Sequence, residues 1–428
     1  MLFRSNMSKL TKYLFSDLYD MSSGISSSKQ QAGHGSPFVS FSTVFNNFFL
    51  PDDLPDLMDT SEKEQEIFSV KQGDIFITRT SETIDELAMS CVALKDYPKA
   101  TFSGFTKRLR PKTSGIAYDK YMAFFLRSQY FRKVIDCNTI MTLRASFNED
   151  MFSFLNLYLP SYEEQVKIGD LLYNIERKIQ CNNKINDNLE HQLEDIYNYW
   201  FTQFNFADIT GQPYKSAGGA MLWNEKLKRE IPSGWDVKSL GELCSFRNGI
   251  NYDKSVAGDK NYRIINVRNI SSSSIALDEN DLDEIRLPQR QGDKYCVSDD
   301  SIIVARSGIP GATRILHKPS DNTIFCGFII CCTPIDKVLQ YYLTFYLKQL
   351  EGSSATQTGG SILQNVSQDT LSSLLVPVPP LPLLTEFNQF VLQAVEIIHT
   401  NMNETNKLRN LRNWLLPMLM NGQATISD

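Results

Sequence analysis

The chain has 428 residues, 42% of them hydrophobic and 21% charged, with a net charge of −6. That is an ordinary globular composition with room for about two or three domains. It contains no apolar run of roughly 18 residues that would span a membrane and no signal-peptide core in its opening "MLFRSNMSKLTKYLFSDLYD", so a cytoplasmic protein without a membrane partner is expected. Met7 is an alternative start. The acidic balance argues against a surface that binds nucleic acid all over, while leaving local basic patches open. Eight scattered cysteines, no CxxC and four histidines give no clustered ligands for a zinc site. The cysteines read as free, buried thiols of a reducing compartment.

In chain order, "SPFVSFSTVF" and "GDIFITRT" have the β-branched and aromatic content of strands. "DKYMAFFLRSQYFRKVI" has helical spacing. A long helix is expected from Tyr162 to Phe201, a stretch without proline and with one glycine, Gly169. The segment "NFADITGQPYKSAGGAM" is a Gly/Pro/Ser-rich connector. Three further strand segments follow, "NYRIINVRNI", "DSIIVARSG" and "TIFCGFIICCTP". Then come a helix, "KVLQYYLTFYLKQL", and a second long helix.

The order of these elements repeats. "GISSSKQQAG" (Gly24 to Gly33) and "GINYDKSVAG" (Gly249 to Gly258) share Gly, Ile, Lys, Ala and Gly at the same places. Upstream, Phe15, Asp17 and Leu18 align with Leu240, Glu242 and Leu243. Downstream, "GDIFITR" aligns with "DSIIVAR", "FSGF" with "FCGF", and the Pro160 segment with the Pro380 segment. The chain therefore reads as two diverged copies of a unit of roughly 220 residues.

The long helices carry a seam whose spacing alternates four and three. In the first it runs Ile168, Leu172, Ile175, Ile179, Asn182, Asn186, Leu189, Leu193, Ile196, Trp200. In the second it runs Phe387, Val391, Ala394, Ile398, Asn401, Thr405, Leu408, Arg412, Leu415, Leu419. At 1.5 Å per residue each helix is a rod of ~60 Å. The two are expected to pair antiparallel about a pseudo-twofold axis, with Ile175, Ile179, Asn182, Asn186, Leu189, Ala394, Ile398, Asn401 and Leu408 at the pairing face. A central layer of Asn182, Asn186, Asn401 and Thr405 would fix register at some cost in stability; the competing reading has these residues facing solvent.

Catalytic signatures are missing. There is no GxxxxGK[ST] or GxGxxG loop, no Asn-Pro-Pro-aromatic segment, no HExxH and no GxSxG. A nuclease-like spacing of Asp170 and Glu176-Arg177-Lys178 falls inside the long helix, where charges line a solvated face. Basic residues are placed more tellingly. "KATFSGFTKRLRPK" brings Lys99, Lys107, Arg108, Arg110 and Lys112 together without an acidic residue, with Phe102 and Phe105 interleaved. Lys254, Arg263 and Arg268 surround the second repeated loop, and Arg306 and Arg314 flank the Gly-rich "SGIPGAT". Arg79 holds the place in the first copy that Arg306 holds in the second. These eleven cations are the candidate DNA-binding residues, for phosphates or for guanine edges; solvated surface charge is the competing reading for each.

These pieces resemble the specificity subunit of type I restriction–modification enzymes. The resemblance rests on "EIPSGWDVKSLGELCSFRNGINY", "GDIFIT", "LPSYEEQVKIGDLLYNIERKIQCNNKIN" running into "LEDIYNYWF", and "GAMLWNEKLKREIPSGW". It covers essentially the whole chain, in two ordered copies. The resemblance implies an α+β chain in which two repeated mixed α/β target-recognition globules are separated by two long antiparallel coiled-coil helices. The expected segments are residues 1–157 (first globule), 158–203 (first spacer helix), 204–230 (connector), 231–376 (second globule) and 377–424 (second spacer helix). It further implies a non-catalytic subunit. Each globule would read one half of a split, asymmetric double-stranded DNA site, and the helices would dock two methyltransferase subunits and, through them, motor-nuclease subunits. Cofactors would be absent from this chain; S-adenosylmethionine, ATP and Mg would belong to the partners.

The sequence departs from the family pattern in two places. "VPVPPLPLLTEFNQF" lacks the Glu-Gln that follows the first proline segment in "SYEEQ", and "TRTSET" stands where the second copy has "ARSGIPGAT". DNA approach is therefore expected to differ between the halves. The acidic total leaves much of the phosphate contact to partners. The alternative reading is a coiled-coil scaffold that never touches DNA.

Overall fold

The computed structural model describes residues 3–4, 10–26, 28–81, 83, 86–139, 145–252, 258–271, 274–351 and 366–426. Met7 and Lys254 lie outside them. The chain divides into two compact units, residues 1–179 with 407–428, and residues 180–406.

The first unit is built on a four-stranded antiparallel sheet. Thr106–Pro111 lies between Tyr19–Ser23 and Ile75–Thr78, and Ser90–Val92 extends the far edge. A second sheet pairs Ala32–Val39 antiparallel with Asp56–Met58 and parallel with Thr101–Phe102. Thr11–Leu14 pairs with Asn156–Leu159. Ile75, Phe76 and Ile77 are all buried, because this strand is covered on both faces: Ile75 and Ile77 belong to the main core and Phe76 to a smaller one. Continuous apolar runs mark strands covered on both sides.

The second unit repeats this plan strand for strand. Ile329–Pro334 lies between Cys244–Asn248 and Ile302–Ala305, with Thr313–Ile315 at the edge. Lys260–Ile265 pairs antiparallel with Asp283–Leu287 and parallel with Thr323–Phe325. Asp236–Ser239 pairs with Leu375–Val378. The shared register sets Asn156 against Leu375, one residue away from the alignment of Pro160 with Pro380.

Several expected elements break at capping residues. "SPFVSFSTVF" is a strand only to Val39; the Ser40 hydroxyl then accepts from the Thr43 N–H and starts the helix Phe41–Asn46. "DKYMAFFLRSQYFRKVI" forms two helices, Asp119–Phe125 and Gln129–Asn138, the second capped by Ser128. The connector is partly ordered as a hairpin of Met221–Asn224 with Arg229–Pro232.

The first long helix spans Tyr162–Tyr197 and ends in a π turn, Asn198–Thr202. Ser161 accepts from the Glu164 N–H, and Glu163 and Glu164 favour the positive end of the helix dipole. The second spans Leu381–Met420, with Pro382 in its first turn, where a missing N–H costs little.

Each unit packs a stretch of both helices. In the first, Ile168, Leu172, Ile175 and Ile179 share the core with Leu415 and Leu419, and Leu408 packs against its edge. Arg412 occupies the seam and pairs with Glu176, with Phe48 beneath its guanidinium. In the second, Leu193, Tyr197 and Phe201 meet Phe387, Val391, Ala394 and Val395, with Leu189 at the edge. Burying each large apolar side chain here stabilises by roughly 1.5–3 kcal/mol. Within this unit the helices run antiparallel: Asn182 donates to Thr405 Oγ1 at 3.4 Å and Glu404 at 2.8 Å, while Asn401 donates to Asn186 at 2.9 Å. Asn186 in turn donates to the carbonyl of Ile398 at 3.4 Å. Asn182 is 0% exposed, so it does not face solvent.

Candidate nucleic-acid interface

The repeated Gly-Ile loops serve one structural purpose in both units. In the first, the Ile25 N–H donates to the Phe102 carbonyl at 2.9 Å and the Gly104 N–H returns a bond to Ile25 at 2.7 Å. In the second, Ile250 donates to Phe325 at 2.9 Å and Gly327 to Ile250 at 2.8 Å. Backbone lies so close that a Cβ on Gly24 would sit 2.3 Å from the Ser103 oxygen, and one on Gly249 2.1 Å from the Cys326 oxygen. Only glycine fits there. The loops thus clamp the turns Ser103–Thr106 and Cys326–Ile329, each closed by its own bond, at 2.9 and 3.0 Å.

Beside each turn stands an arginine. The Arg79 N–H donates to the Phe105 carbonyl at 2.9 Å, and the Arg306 N–H to the Phe328 carbonyl at 2.9 Å. Behind each arginine a loop closes with matching bonds. Ala88 donates to Thr78 (3.3 Å) and Gly311 to Ala305 (2.9 Å). Both closing residues are left-handed, Ala88 at φ 56° and Gly311 at φ 84°. "TRTSET" and "ARSGIPGAT" therefore open loops of different length on one frame. The other sequence departure sits elsewhere. Gln165 donates to the carbonyls of Ile116 and Pro160 and accepts from Tyr118 N–H, so it ties the globule to the helix start.

The candidate cations separate into two groups. Most are engaged within the fold. Arg314, 1% exposed, is gripped by Glu351 at 2.7 and 2.9 Å. Arg110 forms a fork on the buried Asp74, at 2.7 and 2.6 Å, which raises its pKa further. Arg108 is buried over Phe102 and donates to the Ser69 carbonyl at 2.7 Å; burial lowers its pKa. Lys107 is buried against Ser23 and Glu149. Lys112 reaches Asp20 and the Ser16 carbonyl. Arg263 pairs with Glu279, and Arg268 with Asp281 and Asp283. "KATFSGFTKRLRPK" is thus two short strands joined by a turn, with Lys107 and Arg108 buried, Arg110 half-buried, and Lys99 and Lys112 exposed.

The second group is smaller. Arg79 and Lys99 are exposed and have no side-chain partner among the described residues. Arg306 makes two long bonds to carbonyls, 3.3 Å to Val366 and 3.4 Å to Gly327. Sequence reasoning noted Phe105 among the basic residues and aligned it with Phe328 through the repeat, but counted neither among the candidate contacts. Phe105 is 67% exposed and Phe328 62%, and the repeated "F-x-G-F" was the signal that marked them.

The carboxylates with nuclease-like spacing are held apart by different partners: Asp170 by Lys120 and Tyr118, each at 2.8 Å, and Glu176 by Arg412. Among the described residues no group of three His, Cys, Asp or Glu side chains could hold a metal. All eight cysteines are free, and Cys137 and Cys181 are exposed rather than buried as expected. Among the described residues no helix is long and apolar enough to cross a membrane.

Comparison with known proteins places the chain in a family. The chain is 23% identical over 380 residues to the type I restriction enzyme MjaIX specificity subunit of Methanocaldococcus jannaschii, covering 83% of this chain and 84% of that one. It is 21% identical over 442 residues to the type I restriction enzyme HindI specificity subunit of Haemophilus influenzae, covering 90% and 94%. The crystal structure of the S subunit of a type I restriction-modification system from M. genitalium shares the fold, with a TM-score of 0.61 at 16% identity and 97% of each chain covered. The type I restriction modification DNA specificity domain matches twice, over residues 15–191 and 232–407; the chain belongs to that family and carries its domain in two copies.

Proposed function

We propose that this chain is the non-catalytic subunit that gives a type I restriction–modification complex its DNA sequence specificity. Each unit reads one half of a bipartite, asymmetric duplex site. The long helices space the halves and dock two methyltransferase subunits and, through them, the motor-nuclease subunits. S-adenosylmethionine, ATP and Mg belong to those partners.

The observation that carries this reading is the double occurrence of one domain, built on the same strand order, with unlike loops after Arg79 and Arg306. Two copies of one frame with different loops suit two half-sites of different sequence. Few of the candidate cations among the described residues remain unengaged, so partners supply part of the phosphate contact, and binding falls as salt rises.

Exchange of residues 1–157 for the corresponding segment of a relative tests the modular part. The graft must keep the apolar face that meets Leu415 and Leu419. The expected result is a methylated motif with one half replaced and the other retained. A hybrid that alters both halves would contradict independent reading.

A further inference from the structure

Two phenylalanines occupy equivalent positions and are both left in solvent. Phe105 is the third residue of the turn Ser103–Thr106, and Phe328 of the turn Cys326–Ile329. They are 67% and 62% exposed, whereas Phe102 and Phe325, three residues earlier, are fully buried. A single exposed apolar side chain needs no explanation, but the same one kept at the same place in two diverged copies does. The setting is rigid in both units. The Gly-Ile loop clamps the turn from one side, and an arginine N–H holds the phenylalanine carbonyl from the other. With its backbone fixed, a phenylalanine has only two side-chain torsions to lose on binding.

The neighbour is equivalent too. Thr78 is paired with Thr106, and Ala305 with Ile329. Arg79 and Arg306 therefore follow at the position across from Phe105 and Phe328, and cross-strand neighbours leave the backbone on one face. Arg79 has no side-chain partner among the described residues, and Arg306 has only long contacts to carbonyls. An exposed aromatic ring beside an available guanidinium matches the major-groove face of a base pair step. The ring suits the C5-methyl of thymine, and the guanidinium suits the acceptors of an adjacent guanine.

Resting on the proposed specificity role, we propose that Phe105 and Phe328 are base-reading residues, one for each half-site. Each sets its ring against a thymine methyl group, with Arg79 or Arg306 reading beside it.

The test uses the whole chain with the modification subunits that co-purify with it, and a duplex pool with randomised positions. The wild-type complex selects a split site. Each thymine in it is then replaced singly by uracil, which lacks only the methyl group. One uracil in each half should weaken wild-type binding on the order of tenfold. Phe105→Ala should abolish the effect of one of these uracils and leave the other; Phe328→Ala should do the reverse. Both residues are exposed, so thermal unfolding of the variants should match the wild type. A selective wild-type complex indifferent to every uracil, or variants that keep both effects, would overturn the inference while leaving the specificity role standing. A complex that selects no sequence at all would overturn both.

Discussion

At the residue scale the decisive contrast lies between cations that serve the fold and cations that remain available. Arg314 is buried and its partner Glu351 partly so. Removing one member of such a pair leaves an uncompensated charge, so Arg314→Ala should destabilise its unit by about 3 kcal/mol, read as a lowered urea midpoint. Arg79→Ala should leave stability within about 0.5 kcal/mol. It should also reduce the salt dependence of DNA binding by about one unit of slope if it meets a phosphate, or relax one base position if it reads a base. A stability loss at Arg79 matching that at Arg314 would contradict the division. The sequence showed all these cations as one class. Charge type is legible in a sequence, but the Asp74 facing Arg110 and the Glu351 facing Arg314 are each 36 or 37 residues away, and only the fold brings them together.

Histidine adds a pH dependence. Burial, followed by the charge of Lys318, lowers the pKa of His317 from its usual value of 6.5. The folded state therefore favours the neutral ring. The unfolded chain takes up a proton as pH falls below about 6.5, so this contribution is complete above that pH and is lost as pH falls through the depressed value. His317→Gln should flatten the decline of stability as pH falls below about 6.5. An unchanged slope in urea unfolding would show that the ring is not responsible.

At the element scale the long helices were the most legible part. Period-3.5 spacing needs no tertiary information, and the seam positions chosen for it are buried from Ile168 to Ile179 and from Phe387 to Ile398. The antiparallel direction appears in the bonds from Asn182 to Thr405 and from Asn401 to Asn186. Shorter elements were harder. Ser40 and Ser128 each cap a new helix inside an apolar pattern that reads as continuous, because a hydroxyl at the N-cap competes with the strand or helix that the pattern would continue. If the helices set the spacing between half-sites, inserting one heptad after Asn186 and a matching heptad before Ile398 keeps the seam in phase. It lengthens each helix by about 10 Å. The spacer of the methylated motif should then grow by about three base pairs with both half-sites unchanged. A spacer of unchanged length would refute the ruler.

At the scale of the whole molecule the repeat organises everything else. Five matches in a ten-residue loop were visible in the sequence; their reason was not. Gly24 and Gly249 are required by backbone of Ser103 and Cys326, far along the chain, and this distant contact accounts for the Gly-Ile start that the two loops share. The differing loops after Arg79 and Arg306, closed by the same bonds, give one frame two surfaces. The central claim is that this chain chooses the DNA sequence on which partner subunits act. Its most direct test is genome-wide sequencing of methylated bases in cells with and without this chain, the partner subunits being present in both. The account predicts a split, asymmetric methylated motif that disappears when the chain is removed and returns when it is restored. A motif that persists without the chain would contradict it.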